Sequence, residues 1–381
     1  MVKAKFNLKL EEIEKEVYNS DASLIEGVVS SVIFPKNVDE LLNIVRISQT
    51  DVVARGGGSG LAGGCVPQNS IIIDMSKMNK IIKIDKEKRT VEVEAGILLD
   101  ELNDELRKYN LEFPVNPSSH AIATIGGMIA TNAVGSRAIK YGRTSDWVAS
   151  VEIINGKGER KELRKLDLMD VSGMEGITAI VLKAVLKLAP TKVRTADFVE
   201  AENMEEVMLA VDRMKRESDV SMIEFFDRET SKLLGFPDKY HLIIEYESNK
   251  GMISGGEYEK LMQTRDKSYP VLADKGYVVI EDPKLLFGKI PEFISWLEEN
   301  HIPTFGHSGV GILHPCFKQG EEAKIDEMMK IAKRFKGEIT GEHGIGLKKK
   351  QYLEGQDKKL KEILKNRYDP AKKLNRGKVV D

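Results

Sequence analysis

Cysteine is nearly absent: the 381-residue chain holds two, Cys65 and Cys316, far apart in sequence. Two thiols supply neither a disulfide framework nor a four-cysteine zinc site, so a reducing, cytoplasmic setting is expected. An excess of either charge is also missing. The 58 Lys+Arg against 60 Asp+Glu leave a formal charge of -2, which excludes a globally cationic nucleic-acid binder. Long apolar runs are missing as well. The amino-terminal MVKAKFNLKLEEIEKEV is charged throughout, unlike a signal peptide. The longest stretch free of Asp, Glu, Lys and Arg, residues 113–136, carries two prolines, two asparagines and three glycines and makes a poor spanning helix. No internal repeat or low-complexity segment is visible. With 41% hydrophobic and 31% charged residues, the chain reads as globular and long enough for two cores.

The local patterns mix strands and helices. SVIF at 31–34 reads as a strand that Pro35 and Asn37 break before a helical face of Leu41, Leu42 and Val45. DVVAR, SIIID, NKIIKID and TVEVEAG are short β-branched runs between turn residues, and Leu98, Leu102 and Leu106 mark an amphipathic helix over 98–109. VASVEIING with its GKGER turn predicts a hairpin at 148–160, and ITAIVLKAVLKLAP closes a first α+β domain at Pro190. Residues 191–305 read as helix-rich with scattered strands, a second α+β domain, followed by a C-terminal segment at 306–381. From Gly346 to Asp381 there are twelve Lys+Arg against five Asp+Glu, a pattern of a solvated helical face or of a surface for an anionic membrane or an acidic redox partner.

Six glycines between Gly56 and Gly64, after a strand, let successive amides turn toward one anion. Gly58 to Gly63 formally matches the G-x-G-x-x-G of a nicotinamide-binding unit, but Pro67 and the strand SIIID leave no room for the helix that motif must open. The reading is therefore an anion cradle of another kind, with a plain flexible loop as the alternative. A second stretch, NPSSHAIATIGGMIATNAVGSRAIKYGRTSDW, is rich in small residues. It is either a buried linker or a backbone surface that lies close to a large planar ligand, and two such segments suit an extended dinucleotide.

Six histidines are present, of which His120, His241 and His301 read as structural. His307, His314 and Glu342 make a set of two imidazoles and one carboxylate beside His343, which suits a divalent transition metal with open positions: zinc first, then manganese or iron.

RGGGSGLAGG, PVNPSS, ATIGGMIATNAVGSRAIKYGRTSDWV and SGMEGITAIVLKAVLKLAP, in that order, resemble the FAD-binding domain of the p-cresol methylhydroxylase and vanillyl-alcohol oxidase superfamily. FGHSGVGILHP, GEITGEHGIGLKKKQYL and YDPAKKLNRGKV resemble its FAD-linked 2-hydroxyacid dehydrogenase branch, which includes D-lactate dehydrogenases, D-2-hydroxyglutarate dehydrogenase and the glycolate oxidase D subunit. The resemblance implies an α+β protein with a two-part FAD-binding domain and a substrate cap domain. It implies that Arg55, Gly56, Gly57, Gly58, Ser59, Gly60, Gly63 and Gly64 wrap the pyrophosphate. Pro117, Ser118, Thr124, Ile125, Gly126, Gly127, Asn132, Gly135, Tyr141, Gly142 and Asn375 would face the flavin, and Glu175, Gly176, Ile180 and Val181 the ribityl or adenine end. Ser59 stands where covalent relatives place a flavin-linking histidine, so noncovalent FAD is implied.

By the same likeness His307, His314 and Glu342 are metal ligands, His343 is the base and Arg265 binds the substrate carboxylate, with an ordinary surface charge as the alternative for Arg265. Val310 and Ile312 replace an Asp and an Asn of the family pattern and remove polar partners of the metal site. The implied activity is oxidation of a small 2-hydroxy acid, D-lactate, glycolate or similar, to the 2-oxo acid. Electrons would pass to a cytochrome, a quinone or an electron-transfer flavoprotein, in a homo-oligomer or complex subunit with peripheral membrane contact. Two other readings stand beside it: a transferase like alkyl-glycerone-phosphate synthase, and a FAD-holding subunit without catalysis of its own.

Overall fold

The computed structural model describes residues 15–48 and 50–380, so most of the charged amino-terminal segment lies outside the described residues. Three parallel strands open the chain in space, with Gln68–Asp74 between Val28–Ile33 and Val52–Arg55. The connecting helix Val38–Ile47 is started by Asn37, whose side chain accepts from the Glu40 amide at 3.0 Å, and it buries Leu41, Ile44 and Val45. Parallel neighbours need such a crossover, and the helix supplies it.

Five antiparallel strands follow in the order Ile81–Asp85, Thr90–Glu94, Ala179–Lys187, Val148–Asn155 and Arg160–Arg164. The expected hairpin is thus present, and the apolar run closing at Pro190 forms the central strand. The helix Leu99–Arg107 covers this layer with Leu99, Leu102 and Leu106; Leu98 is its N-cap rather than part of the stripe. A single cluster of buried side chains runs through both sheets.

Residues 191–305 combine the helices Met204–Met214, Gly255–Asp266 and Ile290–Glu299 with strands, the α+β mixture expected. Six strands form one antiparallel sheet in the order Thr195–Ala201, Tyr240–Tyr246, Val220–Phe226, Thr304–His307, Ile312–Phe317 and Val279–Ile280. Val220–Phe226 and Tyr240–Tyr246 are buried at all seven positions, because side chains pack on both faces of the sheet. Such strands carry no polar–apolar alternation. A cut at 305 falls inside the strand Thr304–His307, and the sheet continues to residue 317.

The C-terminal segment returns to the first sheet. Leu374 forms a parallel bridge with Val52, whose amide donates to Lys373 O at 2.8 Å while Asn375 donates to Val52 O at 2.9 Å. The basic run is not simply a solvated face: Lys349, Lys365 and Lys378 are 0–1% exposed and are paired inside the protein. Among the described residues no helix is long and apolar enough to cross a membrane.

Candidate active site

The glycine loop, the small-residue segment and the second sheet meet around a cleft of about 440 Å³. Its glycines divide into two kinds. A Cβ on Gly56 would stand 2.1 Å from Thr124 Oγ1 and one on Gly57 1.8 Å from Ile122 O, so these positions hold the loop against residues 122–124. Gly58 combines a φ of +69° with Arg55 Nη2 at 2.4 Å from its would-be Cβ, and only glycine suits both conditions. Gly60 has nothing within 4 Å of a Cβ, and Gly64 has only Glu175 Oε2 at 3.6 Å. Among the described residues, no amide from Gly57 to Gly64 donates to another protein group. Amides without protein partners on a loop that lines the cleft suit an extended polyanion.

On the opposite wall, one ligand atom from each of His307, His314 and Glu342 lies within 4.8 Å of the others. His307 ends a strand, His314 sits on the next strand, and the 340–343 turn carries Glu342. Glu342 Oε1 is 3.2 Å from His314 Nε2, 3.4 Å from His343 Nε2 and 3.7 Å from His307 Nε2. Its other oxygen accepts from the Gly135 amide at 3.2 Å, so both halves of the chain build the site. Burial alone would raise the Glu342 pKa, but the three imidazoles outweigh it and hold the carboxyl well below its usual range. Burial lowers His314, whereas His307, against the same effect, is lifted to about 9 by Glu224 and Glu342. The donor set of buried histidine nitrogens around an ionised carboxylate fits a divalent cation.

Two carboxylates that the sequence did not single out organise this wall. Glu224, fully buried, takes His307 Nδ1 at 3.1 Å on Oε2, and the same oxygen accepts from Arg265 Nε at 3.1 Å. The carboxylate thereby fixes which nitrogen of His307 faces Glu342. Asp282 Oδ2 accepts from the amides of Gly341, Glu342 and His343 at 3.0, 2.7 and 2.7 Å and from Thr340 Oγ1 at 2.9 Å, while Lys349 pairs with its other oxygen. Burial opposes this ionisation, yet Lys349, His343 and the amides bring Asp282 to about 2. One ionised side chain therefore shapes the turn that presents Glu342 and His343.

Residues 29–164 match the model of a FAD binding domain and residues 253–379 that of the C-terminal domain of FAD linked oxidases. Glycolate oxidase subunit GlcD of Bacillus subtilis is 30% identical over 95% of this chain and 92% of its own length. A D-lactate dehydrogenase of Archaeoglobus fulgidus is 29% identical over 92% of this chain and 91% of its own. The chain belongs to this family of FAD-linked oxidoreductases. A D-2-hydroxyglutarate dehydrogenase of Stutzerimonas stutzeri is 25% identical over 92% of the chain and 90% of its own length. Among solved structures, alkyldihydroxyacetonephosphate synthase shares the fold, with a TM-score of 0.70 at 18% identity, covering 91% of this chain and 75% of that one.

In this flavoprotein Arg55 to Gly60, Gly64, Pro117, Ser118, Thr124, Gly126, Gly127, Glu175, Gly176, Ile180 and Val181 line the cleft, together with Arg265, His314, Glu342 and His343. Other expected residues stand one layer back. Gly63 packs on Leu347, Ile125 lies in the core, and Asn132 Oδ1 accepts from the Ser145 amide at 3.0 Å. Gly135 reaches Glu342 through its amide, Gly142 takes a φ of +67° after the short helix Ala138–Tyr141, and Tyr141 bonds Glu247. Asn375 Nδ2 donates to Gly64 O at 2.8 Å and Glu175 O at 2.6 Å, while Lys378 donates to its Oδ1, so this side chain ties two cleft loops together. Glu175 receives the amides of Ile345 and Gly346 at 2.7 and 2.8 Å and anchors the turn after His343.

Arg265 is 6% exposed and no ordinary surface charge. Ile312 does not leave a hole where the family has Asn: its side chain would meet a Cβ on Gly341 at 2.6 Å and so packs on the turn bearing Glu342. His120 pairs with Asp100 and His241 with Ser231, both away from this cluster.

Proposed function

We propose that this flavoprotein oxidises a small D-2-hydroxy acid to the 2-oxo acid. The observation that carries the reading is one cleft lined by the glycine loop, His314, Glu342, His343 and Arg265, with His307 behind it within 4.8 Å of the other two ligand atoms. The glycine loop would hold FAD, which would supply the hydride acceptor for the substrate carbon. His307, His314 and Glu342 would hold a divalent ion, which would supply Lewis acidity to a hydroxyl beside it.

The rest belongs to the side chains. Arg265 Nη2 is buried without a hydrogen-bond partner: Glu224 Oε2 lies 3.1 Å away but off its axis. Arg265 also lines the cleft, and a substrate carboxylate beside its guanidinium would be held in one orientation. His343, stacked on His314 at 5.1 Å between ring centroids, turns Nδ1 toward Asp282 at 3.7 Å and Nε2 toward Glu342 at 3.4 Å, and Nε2 takes the hydroxyl proton. Ser59 offers no imidazole to the flavin, so FAD is held noncovalently and acid precipitation releases it intact.

The test is anaerobic mixing of the holoprotein with a panel of D- and L-2-hydroxy acids. Bleaching of the flavin by D acids is expected; an oxidised flavin with every acid, one that dithionite still reduces, overturns the reading.

A further inference from the structure

We propose that the substrate is a 2-hydroxy monocarboxylate whose substituent is uncharged and apolar, and that a second carboxylate is excluded. The inference rests on the oxidation reading above and deepens it. Around Arg265 and His314 the cleft wall is made by Leu61, Tyr269, Pro270, Ile280 and Phe305. Leu61, Tyr269, Ile280 and Phe305 belong to one apolar cluster, and the Phe305 ring lies 5.1 Å from that of His314. Tyr269 turns its hydroxyl out of play by donating to Val278 O at 3.0 Å. A substituent on the reacting carbon, placed between the Arg265 and His314 sides, therefore meets hydrocarbon.

The charges at this end point the same way. Apart from the histidines, Arg265 and Arg55 are the only cations lining the cleft among the described residues, and Arg55 stands on the glycine loop with Nη1 bound to Ser20 O at 2.7 Å. Arg265 already faces Glu224 and Asp266, the latter at 2.9 Å on the cleft side. Lys348 and Lys349, the nearest ammonium groups behind the wall, are paired with Glu281 and Asp282. A substrate with two carboxylates would bring the second one to a wall of apolar side chains beside Asp266, with no free cation to receive it. An unpaired, desolvated carboxylate at such a place binds poorly, whereas a methyl or ethyl group gains by leaving water.

The experiment compares rates of flavin reduction in the holoprotein by D-lactate and D-2-hydroxybutyrate with those by D-2-hydroxyglutarate and D-malate. The monocarboxylates are expected to be favoured by about 100-fold or more in kcat/KM. A second arm uses Tyr269→Lys, which sets an ammonium on the apolar wall and is expected to shift that ratio toward the diacids. A diacid that reduces the wild-type flavin as fast as D-lactate overturns the inference and leaves the oxidation reading standing. Silence toward all four acids defeats the oxidation reading and the inference with it. Should Tyr269→Lys fail to fold, the wild-type ratio decides alone.

Discussion

Arg265 has more neighbours than its fork can align: Nε donates to Glu224, Nη1 to Ser118 and Asp266, and Nη2 to none. Arg265→Lys keeps the charge and loses the planar pair of donors, so kcat/KM for the best acid is expected to fall by about 100-fold with normal flavin content. Unchanged kinetics would separate Arg265 from the substrate. His343 and the metal set can be told apart in the same way. His343→Gln is expected to retain the ion in elemental analysis yet slow flavin reduction by ~10² to 10⁴-fold, the usual span for loss of a general base. His314→Gln removes one of three ligands and is expected to lose ion and activity together, and activity should not return on adding metal. Full activity in a preparation free of stoichiometric metal would end that mechanism. His314 and His343 were visible in the sequence because histidine is scarce, and Arg265 through the family resemblance. Glu224 and Asp282 were not: each is one acid among many until the fold buries it.

Among the elements, the glycine loop separates folding from ligand binding. Gly57→Ala drives a methyl into Ile122 O, and loss of both thermal stability and flavin is expected. Gly60→Ala meets no protein atom, so the Tm of the flavin-free protein is expected to stay the same while FAD binding weakens by about tenfold, ~1.4 kcal/mol. Calorimetry of the apoprotein and flavin titration check both; equal affinity in Gly60→Ala would place the pyrophosphate elsewhere. The helices Val38–Ile47 and Leu99–Arg107 were legible because each shows one face to a core and one to solvent. Val220–Phe226 and Tyr240–Tyr246 show no such asymmetry, and their residues alone give no period to read.

In the molecule as a whole, the two halves are locked by a buried ionic network. Glu245, on the six-stranded sheet, receives Arg137 of the first half through Nε at 2.8 Å and Nη2 at 3.0 Å, with Ser221 Oγ at 2.6 Å and Tyr258 Oη at 2.5 Å. Arg194 bridges Glu112 and Glu247, and Lys140 reaches Glu247 at 2.8 Å. Burial would raise the Glu245 pKa, but Arg137, Arg194 and Ser221 pull it from 4.5 to about 2. Because the folded value lies below the unfolded one, this stabilisation is complete above about pH 5 and is lost as pH falls through 4.5 toward 2. Glu245→Gln is expected to cost about 3–5 kcal/mol at neutral pH by leaving Arg137 unpaired, and to flatten the acid limb of the denaturation midpoint against pH. An acid limb identical to that of the wild type would show that the network does not couple the halves.

The sequence by itself marked the glycine-rich loop, the histidines beside Glu342 and the mixture of strands and helices in the first half. Glycine density, rare imidazoles and amphipathic periods are local properties, and each survives in a string of letters. The tertiary structure alone decided that the strand ending in His307 belongs to a six-stranded sheet, that Asn375 ties cleft loops, and that Glu224 joins the histidine set to Arg265. These depend on contacts between residues 41 to 311 positions apart, and on which acids lose their water when the halves close.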